Sequence, residues 1–348
     1  MIEYNYEWKL SETNFAKNKG TVFSCFACGG GSTMGYKLAG FDVVGCNEID
    51  PRMMKVYIEN HHPKYSYLEP IQTFKLRNDL PDELYNLDIL DGSPPCSSFS
   101  IAGNREDDWG ENKKFREGQA DQVLDTLFFD FIDLAKKLQP KVVIAENVKG
   151  LLVGNAINYV QKIITEFQDA GYKVDFKLLN ASNMGIPQKR ERVFFYAIRN
   201  DIPVSTVDLF GTQPKLDLNF NEKEITFKEI RKTTGNESAY KFGDAIRKYL
   251  KDTLPGNSLA TVHPKGSFFN EIKVHPDKPT PTIRASGLPY DYIDERMIFE
   301  EETILSGSFP LDYNFGKEKP GYIIGMSVPP LMIAKIADEV YTQWLSND

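Results

Sequence analysis

Cys96 stands near the end of Asp91-Gly-Ser-Pro-Pro-Cys-Ser-Ser-Phe-Ser100, directly after a short apolar run, Leu87 to Leu90, that Asp88 interrupts. A buried strand that stops at Gly-Ser-Pro-Pro delivers this thiol to its C-terminal end, where open α/β sheets keep their chemistry. The prolines fix φ and stiffen the turn, while Ser97, Ser98 and Ser100 offer hydroxyls to phosphate or to local backbone. Such a thiol can act as a nucleophile, although a lone cysteine is ordinarily a small, inert core residue. Glu146 ends a second apolar run, Pro140-Lys-Val-Val-Ile-Ala-Glu146. A carboxyl group at a strand edge facing the same crevice would have its pKa raised by desolvation and could hold or give a proton; capping the next turn would use the same residue. Gln188, Arg190 and Arg192 alternate ahead of another apolar run, so an extended backbone puts all three on one face. That face suits phosphate or a base edge, and equally describes a solvated strand edge.

These groups need elements to hold them. Val22 to Phe26 reads as a strand, Ala-Cys-Gly-Gly-Gly-Ser-Thr-Met-Gly35 as a glycine turn, and the stretch to Ala39 as a helix. Strand, glycine turn and helix cradle nucleotides, because glycine lets the backbone approach closely and the helix N-terminus offers free N–H groups. Phe41 to Cys46 follows as a second strand with Glu48 at its end, about twenty residues after the loop, where an acid can accept ribose hydroxyls. A helix starts at Pro51, a weak strand lies around Tyr67, and helices are expected over 123–138 and 155–170, with strands over 140–148, 172–180 and 193–198. The charged, aliphatic-poor stretch 101–119 reads as a long loop suited to a lid. Strand and helix stop alternating between Asn200 and Tyr290, where Pro, Gly, Asn and Thr become frequent, and a second, irregular domain is expected there. Leu331 to Trp344 reads as a closing amphipathic helix.

Composition sets the outer bounds. With 348 residues the chain can bury a full α/β core and a smaller lobe. No apolar run reaches the ~20 residues of a membrane span and no secretory signal is visible, so a cytoplasmic protein with no membrane partner is expected. Four cysteines in this length form no disulfide framework, and four histidines without matching cysteine spacing give no metal site. Cys25-x-x-Cys28 copies a redox pair but runs straight into the glycine loop. The net charge of −8 excludes a basic coat, yet Asn200 to Tyr290 carries 13 Lys/Arg against 11 Asp/Glu, leaving −10 for the remainder. Any polyanion would be met by the cleft and the second lobe.

In this order the motifs resemble those of the DNA cytosine-5 methyltransferases, from about Thr21 to about Tyr341. Phe26-Ala-Cys-Gly-Gly-Gly31 is similar to the family's cofactor loop, Glu48 to its ribose-binding acid, Ser93-Pro-Pro-Cys96 to its nucleophile turn, and Glu146-Asn147-Val148 to the motif of its catalytic glutamate. Gln188-x-Arg190-x-Arg192 resembles the active-site arginine motif, while Pro281-Thr-Ile283, Arg296 with Glu301, and Gly325-Met-Ser-Val-Pro-Pro330 resemble the C-terminal ones.

The resemblance implies an α/β, class I S-adenosylmethionine-dependent methyltransferase (Rossmann-like) sheet in residues 1–199, a target-recognition domain in 200–284 and a return to the catalytic domain in 285–348. It implies Cys96, Glu146, Arg190 and Arg192 as catalytic residues. S-adenosyl-L-methionine would be held by Phe26, Gly29, Gly30, Gly31, Glu48 and Ile49, with Ile71, Pro95, Leu127, Ser327 and Val328 around it. Ser98, Ser100, Arg105 and Gln188 would contact DNA. The implied activity is sequence-specific methylation of carbon 5 of a flipped-out cytosine in double-stranded DNA by a monomer, in a restriction-modification system with a cognate endonuclease as partner. A transfer-RNA cytosine-5 methyltransferase and a catalytically dead DNA-binding module are the alternatives. Four positions depart from the pattern. Cys28 replaces the first loop glycine, tolerable if its φ is negative; Pro70, beside Glu69, replaces an acid near the adenine; Ser97 follows the nucleophile; and Met326 replaces a polar residue.

Overall fold

The computed structural model describes residues 4–95, 112–113, 122–123, 126–153, 156–204, 215–238 and 240–346. They fall into two compact units. The sheet unit comprises Phe15–Leu179, Glu191–Asn219 and Ala334–Asp348, and the second unit comprises Met1–Asn14, Asn180–Arg190 and Phe220–Ile333.

Seven strands build the sheet: β1 (Thr21–Cys25), β2 (Asp42–Glu48), β3 (Tyr65–Leu68), β4 (Ile89–Gly92), β5 (Val142–Val148), β6 (Tyr172–Asn180) and β7 (Glu191–Arg199). Their order is β3-β2-β1-β4-β5-β7-β6. Neighbours from β3 to β5 are parallel, and β7 runs antiparallel to β5. This is the mixed, mostly parallel sheet expected for a class I methyltransferase. Helices α1 (Gly31–Ala39), α2 (Pro51–His61), α3 (Leu127–Leu138) and α4 (Ile157–Asp169) connect it. The central strands are buried on both faces, so they read as nearly continuous apolar runs. Their core partners are aromatic: Phe128 meets Phe195 edge-on at 5.4 Å, and Phe23 stacks on Phe74 at 5.5 Å. Asp50 caps α2 by accepting from the Arg52 and Met53 amides, with Pro51 preset at the first helical position.

Several boundaries move from their expected places. β4 continues through Asp91 and Gly92, which puts a carboxyl group inside a buried strand. The helix expected from Val123 begins at Leu127, because Gln122–Val123 instead pairs antiparallel with Asn112–Lys113. The last helix, Pro330–Val340, gives way to a wider turn at Tyr341–Leu345 that sets Trp344 against Tyr196.

In the second unit, α5 (Asp244–Asp252), α6 (Glu300–Ser306) and α7 (Pro320–Met326) join long irregular segments. The unit's limits differ from those expected at 199/200 and 284/285. Gln188–Lys189 pairs in parallel with Thr280–Pro281, and residues 285–333 group with 220–284. Buried Asp291 holds Arg231 at 2.7 Å and Arg296 at 3.2 Å. Arg296 also reaches both oxygens of buried Glu302, at 2.8 and 3.0 Å. Glu302 occupies the third position of α6, where it also accepts from the Phe299 amide, while Glu301 turns to Lys232.

Gly92 shows how tightly the sheet unit is fitted. A Cβ there would lie 2.5 Å from Cε2 of Phe131 on α3. Gly92→Ala is expected to lower stability by about 1–3 kcal/mol, read from urea denaturation; an unchanged midpoint would contradict this packing.

Candidate active site

The glycine loop leaves β1 through residues of left-handed backbone, with φ 53° at Phe26, 48° at Cys28 and 90° at Gly30. The negative φ required of Cys28 is not found. A side chain sits in a conformation natural to glycine, at a cost of about 1–2 kcal/mol. Cys25 and Cys28 are not joined in a disulfide, and Cys25 is buried in the core. Gly29, Gly30 and Gly31 are buried, and α1 starts with no side-chain cap among the described residues.

Glu48 ties this loop to the end of β2. Oε2 accepts from the Cys28 amide at 2.7 Å, and Oε1 from the Ile49 and Asp50 amides at 2.8 Å each. Burial raises its pKa, and these three amides pull it back down. A carboxylate has about four lone-pair sites, so Oε2 keeps capacity for a ligand hydroxyl. Ile71 and Leu127 are wholly buried in the apolar core of the sheet unit, while Ile49 and Pro95 are half-buried. Polar capacity at Glu48, uncapped amides at α1 and the glycine turn fit an adenosine-bearing ligand.

The second cluster lies at the ends of β4, β5 and β7. Antiparallel register sets Phe194 opposite Glu146 and Arg192 opposite Val148. Arg192 Nε meets Glu146 Oε1 at 2.8 Å, with the side chains 15% and 12% exposed. Desolvation lowers the arginine's pKa, and the glutamate offsets this. Between them in sequence, buried Asn147 donates from Nδ2 to the Pro94 carbonyl at 3.1 Å and accepts from the Val148 amide at 2.8 Å. This amide, which sequence reasoning had not assigned a role, fixes the turn two residues before Cys96 to the strand that carries Glu146. Its signal was its place between two named motif residues. Cys96, Ser98, Ser100 and Arg105 lie outside the described residues.

Gln188 and Arg190 fall in the second unit, whereas Arg192 falls in the sheet unit. Both are buried in the second unit. The Gln188 amide donates to the Ser306 carbonyl at 2.9 Å and accepts from the Ile283 amide at 3.2 Å, so both of its ends already bond to backbone. Arg190 donates to the carbonyls of Ile283 and Gly325 at 3.2 and 3.0 Å, and a Cβ on Gly325 would collide with the Ala285 backbone. In this structure both brace the unit's own loops. Also in this unit, Val328 is buried and Ser327 Oγ is buried without a hydrogen-bond partner among the described residues. No cluster of His, Cys, Asp or Glu able to hold a metal occurs among the described residues, and no helix there is long and apolar enough to cross a membrane.

Removing the carboxylate from the Glu146–Arg192 pair leaves a desolvated guanidinium. Glu146→Gln is expected to cost about 1.5–3 kcal/mol of stability, and the double variant Glu146→Gln/Arg192→Met should recover part of it in a urea-denaturation cycle. Additive losses would contradict the coupling.

Comparison with known proteins agrees with this geometry. The C-5 cytosine-specific DNA methylase family matches residues 20–342. The chain is 34% identical over 233 residues to the type II methyltransferase M.FnuDI of Fusobacterium nucleatum, an alignment covering 67% of this chain and only 54% of that relative. It is 26% identical over 362 residues to the type II methyltransferase M.NgoFVII of Neisseria gonorrhoeae, covering 97% and 91%. Among solved structures, a DNA modification methyltransferase encoded within an E. coli prophage superposes with a TM-score of 0.68 at 19% identity, covering 94% of this chain and 99% of that one. Dnmt2 of S. pombe follows the same fold at a TM-score of 0.60 and 14% identity, covering 94% and 98%. The matched family spans both units, from before β1 to beyond the last helix, and the chain belongs to the C-5 cytosine-specific DNA methylases, a family of DNA cytosine-5 methyltransferases.

Proposed function

We propose that this protein methylates carbon 5 of a cytosine within a defined sequence of double-stranded DNA, through a covalent bond to Cys96, as the monomeric methyltransferase of a type II restriction-modification system with a cognate endonuclease. The observation that carries this reading is the Asn147–Pro94 hydrogen bond beside the Glu146–Arg192 pair. It joins the turn leading into Cys96 to a desolvated carboxylate with its own cation.

Carbon 5 of cytosine is a poor nucleophile. The Cys96 thiolate adds to carbon 6, and the ring electrons move to carbon 5 as an enamine able to attack an electrophile. Glu146 holds a proton at ring nitrogen 3 and accepts from the amino group, while Arg192 keeps the carboxylate oriented. S-adenosylmethionine, when bound, supplies the electrophilic methyl. Glu48 and the amides of the glycine loop would hold it. Loss of the carbon 5 proton then expels the thiol and restores the ring. A paired base is out of reach of these groups, so the cytosine leaves the duplex stack.

The test is a trap: duplex DNA carrying 5-fluorocytosine, S-adenosylmethionine and purified protein, with fluorinated transfer RNA in parallel. Fluorine cannot leave as a proton, so a denaturation-resistant adduct on DNA is expected, and sequencing the trapped DNA would read the target. Cys96→Ser should abolish the adduct. An adduct on transfer RNA alone would overturn the substrate, and cofactor binding without any adduct would overturn the catalytic role of Cys96. On unmodified DNA, Glu146→Gln should lower kcat by about 10²–10⁴-fold, measured by transfer of labelled methyl.

A further inference from the structure

Asp91 is an acid in the middle of the sheet. It lies on β4, one residue before Gly92, and is 3% exposed. Oδ2 accepts from Ser24 Oγ on β1 at 2.7 Å, and Oδ1 from the Tyr36 hydroxyl on α1 at 3.2 Å. One carboxyl group thus gathers the strand that enters the glycine loop, the helix that leaves it and the strand that leads to Cys96. No cation bridges it among the described residues. Burial raises its pKa to about 7, opposed by the hydroxyls of Ser24 and Tyr36 and assisted by the charge of Glu146. The titratable groups facing it are the Cys25 thiol on β1 and the Tyr36 phenol on α1, both pushed well up by burial and so neutral, and Glu146 on β5, paired with Arg192.

We propose that Asp91 is a positioning residue for methyl transfer: its carboxylate sets the glycine loop and α1 against the end of β4, and so orders the loop for cofactor binding. This rests on the function proposed above. A group kept only for stability would be a poor choice here. The carboxyl's folded pKa lies above its unfolded value, so its contribution to stability is full below about pH 4 and is lost as pH rises through about 7. Above neutrality the fold is held back by the very charge that strengthens the contacts with the Ser24 and Tyr36 hydroxyls. Stability and function pull in opposite directions at this residue.

The experiment measures dissociation constants for S-adenosylmethionine by calorimetry from about pH 6 to about pH 9, with thermal midpoints under the same conditions. Wild type, Asp91→Asn and Tyr36→Phe are compared. Glu48 also titrates with a raised pKa, so the variants are read as differences from wild type. Asp91→Asn should weaken binding about fivefold above neutrality and remove the pH step near 7, while melting at a higher temperature than wild type at about pH 8. Tyr36→Phe removes one hydroxyl that favours the ionised form, so the step should move to higher pH. Loss of affinity in proportion to a lower melting temperature, or a wild-type pH step retained in Asp91→Asn, would overturn the proposal. Wild-type protein that binds the cofactor but forms no adduct on fluorinated DNA would instead overturn the function on which it rests.

Discussion

A parallel sheet covered on both faces leaves its interior no room for unpaired polar groups, and the rest of the sheet unit follows from that constraint. β1, β2, β4 and β5 are buried for nearly their whole length, and their polar residues gather toward their C-terminal ends: Glu48 at the end of β2, Asp91 near the end of β4, Glu146 and Asn147 near the end of β5. The loops there must then satisfy them. Three backbone amides serve Glu48, an arginine serves Glu146, and the Pro94 carbonyl serves Asn147.

These partners are of different kinds, with different chemical consequences. A carboxylate among amides is fixed but not neutralised, which suits it to a ligand's hydroxyls. Glu146 is ion-paired with Arg192 where water is scarce. Asp91 is met by hydroxyl donors and, among the described residues, by no cation, and burial raises its pKa to about 7. The sheet unit therefore sets a carboxyl without a cation behind the glycine loop and an ion-paired one beside the turn that leads to Cys96.

The second unit handles buried charge by networking. Asp291 sits between Arg231 and Arg296, and Glu302 takes both arms of Arg296 while receiving the Phe299 amide. Arg190 and Gln188 supply hydrogen bonds to backbone that lies in no sheet, at the Ile283 loop and at the C-terminal turns of α6 and α7, Ser306 and Gly325. The short two-residue pairing of Gln188–Lys189 with Thr280–Pro281 shows how little regular structure supports them.

Much of this was legible in the sequence. The strands and helices of the sheet unit follow from apolar runs and turn residues, because a buried strand must be apolar throughout and its end must break sharply. Glu48 and Glu146 could be placed at strand ends on that ground alone, and the ordered motifs identified the family. What sequence did not reveal depends on contacts between segments distant in the chain. Alternation at Gln188, Arg190 and Arg192 describes one face of an ideal strand, but the compact units divide between Arg190 and Glu191, and the first two side chains go to backbone carbonyls about a hundred residues away. The partnership of Arg296 with Glu302 depends on the third position of α6 facing it. The carboxyl of Asp91 is one letter at the end of an apolar run. Only the tertiary structure, by packing Ser24 and Tyr36 around it, made it a buried hub, since a side chain's environment is set by what the rest of the chain brings to it.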